Sequence, residues 1–457
     1  MNLIAQLRDA LGEAAVRTGP DIPARNRTDA AAEVVVEPLA LVLPRSTAEV
    51  AAVLALCHAA GQPVVPQGGM TGLVDASRPV PGEIAISLER MSGVEEVDPV
   101  SGTITALAGT LLEVIQKAAE AAGMMIGIDL GARGSCTVGG NVATNAGGNS
   151  VLRYGMTRAN VRGLRAVLAD GRVVRSNAKM IKNNTGFDWP QLLIGSEGTL
   201  VIVTRVTLAL HPRPAAISTA LAMVPDTAAA LALLRDLEAR LPGGLLVFEA
   251  MWTEFYAIAT GKMGLRAPLV ATDGFCLLIQ APETGPEGSA LVDALHANME
   301  AGHVTDAAVA QSQAERKQFW ALRESVRDHA RFFPRTVGLD VSFPLDRMGT
   351  AVEQLRSRIA QAFPGAAWGL FGHLADGKLH VNIMAEPPGP ATRAKAEKLV
   401  YGLVGELGGS VSAEHGIGRA KTAYLHLTRS PEELRLMAEI KHALDPKNIL
   451  SPGRVLV

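Results

Sequence analysis

A chain of 457 residues, 48% hydrophobic and 19% charged, is long enough for two or three domains and apolar enough to bury a core in each. Its 43 Lys and Arg against 45 Asp and Glu leave a net charge of -2 with no long basic run, which argues against nucleic acid and anionic membrane as general partners. Cys57, Cys136 and Cys276, without CxxC spacing, exclude an iron–sulfur or structural-zinc pattern and fit a reducing compartment, so a cytoplasmic location is expected.

The N-terminal MNLIAQLRDALGEAAV places Arg8, Asp9 and Glu13 where a signal peptide would be apolar, so it reads as an amphipathic helix. No segment approaches ~18 uninterrupted apolar residues, and no transmembrane segment is expected. From residue 37 the pattern alternates. Ser46 and Glu49 make a capping-box start, Val50, Val53, Leu54 and Cys57 a helical stripe, and residues 63–66 a short strand. Strands are expected at 84–88 and 103–108, a helix at 111–122, and a hairpin over 164–176 turning at Asp170-Gly171. A strand over 200–210 ends in HPRP, whose prolines mark a domain boundary. Beyond it, strands near 218–223, 245–250 and 275–279 alternate with helices near 226–241 and 289–301, a second α+β region. The tail IKHALDPKNILSPGRVL reads as a helix stopped by Asp-Pro and then a loop.

Two segments are dense in glycine. PQGGMTG follows the strand at 63–66, and LGARGSCTVGGNVATNAGGNS carries six glycines between Gly131 and Gly148. Glycine allows positive φ and close approach, and clustered backbone N–H groups neutralise a pyrophosphate without Lys or Arg. With IGSEGTL at 194–200, these loops point to a large phosphorylated cofactor; the alternative is that they only turn the chain. No GxGxxG opens a helix with an acidic residue about 20 positions on, and GxxxxGK[ST] is absent, which disfavours nicotinamide and ATP.

The order PQGGMTG, DLGARGSCTVGGNVATNAGG, LRYG, VLADG, NNTG and IGSEGTLVIVT resembles the FAD-binding proteins of the vanillyl-alcohol oxidase and p-cresol methylhydroxylase (PCMH) family. The resemblance implies an α+β, two-domain flavoprotein. Its parts would be an N-terminal helical segment (1–36) on the FAD domain, a PCMH-type FAD-binding domain (37–213), an α+β substrate or cap domain with a metal site (214–415), and a C-terminal segment (416–457) returning to the FAD domain. It also implies FAD contacts from Pro66, Gln67, Gly68, Gly69, Met70, Thr71 and Gly72, from Gly131, Ser135, Gly139, Gly140, Asn141, Thr144, Asn145, Gly147 and Gly148, and from Glu197, Gly198 and Asn448. Relatives with covalent flavin attach it through a histidine, often in the first loop; this loop has none, so non-covalent FAD is expected. Met70 replaces an asparagine common there, which implies a changed local contact.

FGHLADGKLHVN centres on Asp376-Gly377, a strong two-residue hairpin signal, and counting from that turn opposes His373 to His380. Opposed side chains, with Cβ atoms about 4.5–5.5 Å apart, let two imidazoles reach one metal through bonds of about 2.0 Å. Asn382 points the same way. With only ten histidines in the chain the pair is informative, although two histidines on a polar sheet face also occur structurally. SVSAEHGIGRAK adds a Glu-His pair after a strand-like SVS. Two histidines, a carboxylate and open positions suit catalytic Zn²⁺ or Mn²⁺.

GHxxDGxxH with the later EHG narrows the resemblance to the D-2-hydroxyglutarate and D-lactate dehydrogenase branch. It implies metal ligands His373, His380 and Glu414, Asn382 fixing substrate orientation, and His415 removing the proton of a substrate 2-hydroxyl while the C2 hydride passes to the flavin. It implies an electron-transferring flavoprotein or quinone as acceptor, and a homodimer is compatible with it. Arg323 matches an arginine that helps hold the distal carboxylate of hydroxyglutarate, but Arg327 and Gly338 stand where those relatives carry threonine and lysine. Arg327, four residues on, is expected to share a helical face with Arg323 and replace the lysine; otherwise the pocket favours a shorter or apolar tail, which Phe332 and Phe333 allow. Competing readings are a flavin oxidase using O₂ on an alcohol or sugar acid, and a non-catalytic electron-relay flavoprotein subunit.

Overall fold

A computed structural model describes residues 2–31, 34–176, 179–241, 243–270, 274–283, 290–333 and 336–456. The chain divides into two units, Met1–Arg213 with Glu414–Val457, and Pro214–Ala413. Glu414 and His415 therefore belong with the first unit.

In the first unit, four short strands form one sheet in the order β1 (Val16–Arg17), β2 (Ala40–Val42), β4 (Ile84–Ser87) and β3 (Val64–Gln67). β2 and β3 both run parallel to β4, and apart from the half-buried Pro66 all three strands are buried, as expected of apolar runs in a parallel sheet. The helix Thr47–Ala60 leads into β3. Ser46 Oγ accepts from Glu49 N (3.1 Å), while the Glu49 carboxylate accepts from Arg45 N (2.7 Å), one residue before the cap. Val50, Val53, Leu54 and Cys57 face the core. A second sheet runs β5 (Val94–Asp98), β6 (Thr103–Leu107), β10 (Val201–Pro212), β8 (Val161–Leu168) and β9 (Val173–Arg175), with β7 (Met124–Ile126) also on β10. The Asp170-Gly171 turn joins β8 to β9 as the sequence requires, Gly171 N donating to Leu168 O (2.9 Å).

In the second unit, the strands among the described residues make one antiparallel sheet: β14 (Asp306–Val309), β11 (Ile217–Val224), β13 (Phe275–Pro282), β12 (Val247–Met251), β16 (Ala367–His373), β17 (Lys378–Met384) and β15 (Val337–Ser342). The helix Gln313–Glu324, capped by Ser312 Oγ on Glu315 N (3.2 Å), buries Phe319 and Leu322 in a cluster with Leu221, Leu278 and Phe371.

Two expectations are corrected here. The β16–β17 hairpin does not turn on two residues. A type I′ turn needs positive φ at both central positions, and of the expected pair only Gly377 takes one (70°). Leu374–Asp376 instead wind a 3-10 turn closed by Gly377 N on Leu374 O (3.0 Å). The register moves by two, so Phe371, not His373, lies opposite His380. Because side chains alternate with period two, an even shift keeps both histidines on one face. The SVS segment forms no strand; Ser410 makes a single bridge to Ser342, with N···O distances of 2.9 and 3.1 Å.

Candidate active site

In the second unit, the register of four neighbouring strands builds one polar face. Met251, Phe371, His380 and Asp340 form one row across β12, β16, β17 and β15, and Glu249 stands directly opposite His373 in the next. The rings of His373 and His380 lie 6.5 Å apart, diagonal neighbours, and His380 stacks on Phe371 at 4.7 Å. Asp340 and His380 offer ligand atoms within 4.8 Å of each other.

Glu249 is buried and its carboxylate is shared. One oxygen contacts His373 Nδ1, and the other accepts from Arg323 Nε (2.5 Å). Burial alone would raise this carboxyl's pKa, but the Arg323 and His373 charges and their hydrogen bonds hold it well below the usual range. Arg323 reaches it because Phe319, Leu322 and Arg323 follow helical spacing on the core-facing side, with the guanidinium 4.6 Å from the Phe371 ring centre.

Asn382 sits between Gly369 and Gly338 on the flanking strands. A Cβ at position 338 would meet Asn382 Oδ1 at 3.3 Å, so glycine leaves that side of the amide uncovered. Arg327 does not share a face with Arg323. The α-helix ends at Glu324 and tightens to a 3-10 turn over Ser325–Asp328, which turns Arg327 outward into an exposed pair with Glu324 (2.9 Å). Phe333 is buried under Lys262, whereas Phe332 is exposed.

In the first unit, the Glu414-His415 segment is fastened by backbone. Glu414 Oε1 accepts from Gly148 N (3.1 Å), and the buried Glu197 carboxylate accepts from Ile417 N (2.7 Å) and Gly418 N (2.8 Å). Val74 O accepts from Arg419 N and Ala420 N (3.0 and 3.1 Å). Gly416, at φ +85°, has room only for hydrogen on Cα, since a Cβ would lie 2.8 Å from the Glu197 carboxyl. Glu197 thus holds the turn after His415 through its side chain, a role sequence reasoning did not give it.

The first glycine loop leaves the buried strand β3 at its C-terminal end, and the N–H groups of Gly68, Gly69, Met70 and Thr71 donate to no protein acceptor among the described residues. Met70 takes φ 60°, so the loop bends around these donors. A run of uncommitted donors fits an anionic diphosphate. In the second loop several donors are already engaged: Gly139 N donates to Ala108 O (2.8 Å), Asn141 N to Thr137 O (2.9 Å) and Gly148 N to Glu414. Its glycines admit close packing, since a Cβ on Gly139 would stand 2.7 Å from Ala108 Cβ. The Gln67 side chain is spent on Asn26 and Ser77, Asn145 Oδ1 accepts from Arg158 N (2.9 Å), and Asn448 and Ser135 are exposed.

Asp340 and Glu249 escaped the sequence reading, although both left a signal. Each is a lone carboxylate in a mostly apolar strand, VGLDVS and VFEAM, where burial is expensive without a cationic partner.

Residues 38–177 match the FAD binding domain family and residues 213–455 the family of FAD linked oxidases, C-terminal domain. The chain is 40% identical over 418 residues to the mitochondrial D-2-hydroxyglutarate dehydrogenase of Bos taurus, covering 91% of this chain and 76% of that protein. It is 37% identical over 428 residues to the D-2-hydroxyglutarate dehydrogenase of Xanthomonas citri pv. viticola, covering 92% and 89%. Among solved structures it resembles p-cresol methylhydroxylase with substrate bound (TM-score 0.78, 15% identity, 99% of this chain and 96% of that one). It also resembles the 4-ethylphenol oxidase of Gulosibacter chungangensis (TM-score 0.75, 18% identity, 100% and 97%), and at such identities both speak to the fold, which is of the PCMH type. With both of its regions matched and these relatives aligned along nearly its whole length, the chain belongs to the FAD-dependent D-2-hydroxy acid dehydrogenases of the FAD-linked oxidase family.

Proposed function

We propose that this dehydrogenase oxidises its D-2-hydroxy acid to the 2-oxo acid in a divalent-metal-dependent reaction in which His415 takes the proton of the 2-hydroxyl. The observation that carries the reading is the second unit's polar face, where His373, His380 and Asn382 share one side of the sheet and Arg323 is drawn to it by Glu249. Gly68, Gly69, Met70 and Thr71 would hold the FAD diphosphate non-covalently, and His373, His380 and Glu414 would hold Zn²⁺ or Mn²⁺. When bound, FAD supplies the two-electron acceptor and the metal acidifies the hydroxyl.

His415 then acts as general base, a contribution of roughly 10²–10⁴ in rate. Asn382 orients the substrate with its side-chain amide, and Arg323 is the candidate partner of a distal carboxylate, Arg327 being turned away into its pair with Glu324. D-2-hydroxyglutarate, the acid named for the aligned relatives, heads the candidates, with D-malate, D-lactate and longer apolar-tailed acids behind it. An electron-transferring flavoprotein or a quinone is the proposed acceptor.

Anaerobic bleaching of the flavin by a panel of D- and L-2-hydroxy acids identifies the substrate. Exhaustive chelation is expected to abolish dye-linked turnover and Zn²⁺ or Mn²⁺ to restore it, while His415→Ala should lose roughly 10²–10⁴ in kcat with FAD still bound. Turnover that survives both treatments on every bleaching acid would refute the mechanism.

A further inference from the structure

The strand VFEAM (β12) contributes one ionisable side chain to the core of the second unit, and that side chain touches two residues with different expected jobs. We infer that Glu249 is a positioning residue that sets the ligating nitrogen of His373 and the aim of Arg323 through one shared carboxylate. The inference rests on the reading of His373 as a metal ligand.

Register supplies the geometry. Glu249 on β12 and His373 on β16 are directly paired, so their side chains leave the sheet together and the carboxylate meets Nδ1. A carboxylate at Nδ1 makes that nitrogen the N–H donor, and the lone pair is then left on Nε2, the arrangement by which a carboxylate orients a ligating imidazole and raises its basicity. The other carboxylate oxygen takes Arg323 Nε at 2.5 Å. The terminal nitrogens of Arg323 donate to no protein acceptor among the described residues, so the fork that matches a substrate carboxylate stays uncommitted. Phe371 completes the link, with the Arg323 guanidinium 4.6 Å from its ring centre and His380 stacked at 4.7 Å. Arg323 also offsets the charge of Glu249, without which a buried carboxylate would be costly.

A purely structural ion pair and a positioning carboxylate predict different outcomes. Using FAD-loaded protein stripped of metal, Zn²⁺ and Mn²⁺ dissociation constants are measured by competition with a chromophoric chelator, and kcat and KM with the acid that bleaches the flavin best. Glu249→Gln should weaken metal binding roughly 10–100-fold and raise KM, whereas Arg323→Met should raise KM and leave metal affinity unchanged. Glu249→Asp, which keeps the charge but withdraws it by one methylene, provides a folded comparison and should fall between wild type and Glu249→Gln in metal affinity. Wild-type metal affinity in both Glu249 variants, with FAD content intact, overturns the inference. His373→Ala is the control for the underlying reading: if it binds metal as tightly as wild type, His373 is not a ligand and that reading fails first.

Discussion

Each unit contains a buried glutamate that fastens a histidine-bearing segment, and the two are stabilised by opposite means. Glu249 meets the full charge of Arg323 and the His373 ring, and these outweigh the burial that would otherwise raise its pKa. Glu197 meets backbone dipoles, the N–H groups of Ile417 and Gly418, with Lys421 as its charged neighbour; burial prevails and its pKa is raised. Two hydrogen bonds from neutral amides do less for a desolvated carboxylate than a guanidinium and an imidazole N–H in contact. Glu249 is therefore firmly ionised, whereas burial works against a negative charge on Glu197.

Removing each carboxylate in turn separates the two glutamates most visibly. Glu249→Ala leaves the Arg323 guanidinium buried without its counter-charge, and losing one partner of a buried pair costs about 3–5 kcal/mol. Calorimetry should show the largest fall in Tm here, with Arg323→Met in the same background recovering part of it by removing the stranded charge. Glu197→Ala strands two backbone donors instead, and because the half-buried Ile417 N–H can be met by water, only that of the buried Gly418 bears the full cost of about 1–3 kcal/mol. Its signature is local: amide exchange at Ile417 and Gly418 should quicken while amides of the β16–β17 hairpin keep their rates. If Glu197→Ala destabilises more than Glu249→Ala, the ranking of charges over dipoles is wrong for this protein.

Much of this was legible in the sequence, and the parts that were not share a cause. Alternation along KLHVN put His380 and Asn382 on one face, and the two-residue register error over His373 left that parity intact. The helix Thr47–Ala60 with its Ser46 cap, the Asp170-Gly171 turn and the glycine loop after β3 rest on chemistry local in the chain, and local chemistry is what a sequence displays. Glu249 could be seen as a lone charge in an apolar run, but its partners on β16 and on the helix Gln313–Glu324 are distant in sequence and meet it only through strand order. The glycines divide for the same reason. All three of Gly68, Gly69 and Gly139 pack too closely for a Cβ, but the N–H groups of Gly68 and Gly69 stay uncommitted while that of Gly139 goes to Ala108 O, and composition is identical in the two cases. Arg327 failed differently: its four-residue spacing from Arg323 assumed an α-helix that ends between them.

A smaller difference between the two glutamates shows in pH. A carboxylate whose folded pKa is raised binds a proton more readily folded than unfolded, so between the unfolded value, about 4.3, and the raised folded value stability falls as pH rises. Burial gives Glu197 that sign, and the bonds from Ile417 and Gly418 and the charge of Lys421 moderate it. Glu197→Gln removes the titrating group but keeps one acceptor oxygen for the two amides. The Tm advantage of wild type over Glu197→Gln should therefore be greatest near pH 4 and shrink as pH rises above it, because only wild type pays the desolvation cost of ionising. The Tm difference between the two proteins, measured in matched buffers, cancels the titration of all other groups. An advantage that grows with pH would mean that the backbone donors and Lys421 outweigh burial after all, and that the folded pKa of Glu197 is lowered like that of Glu249.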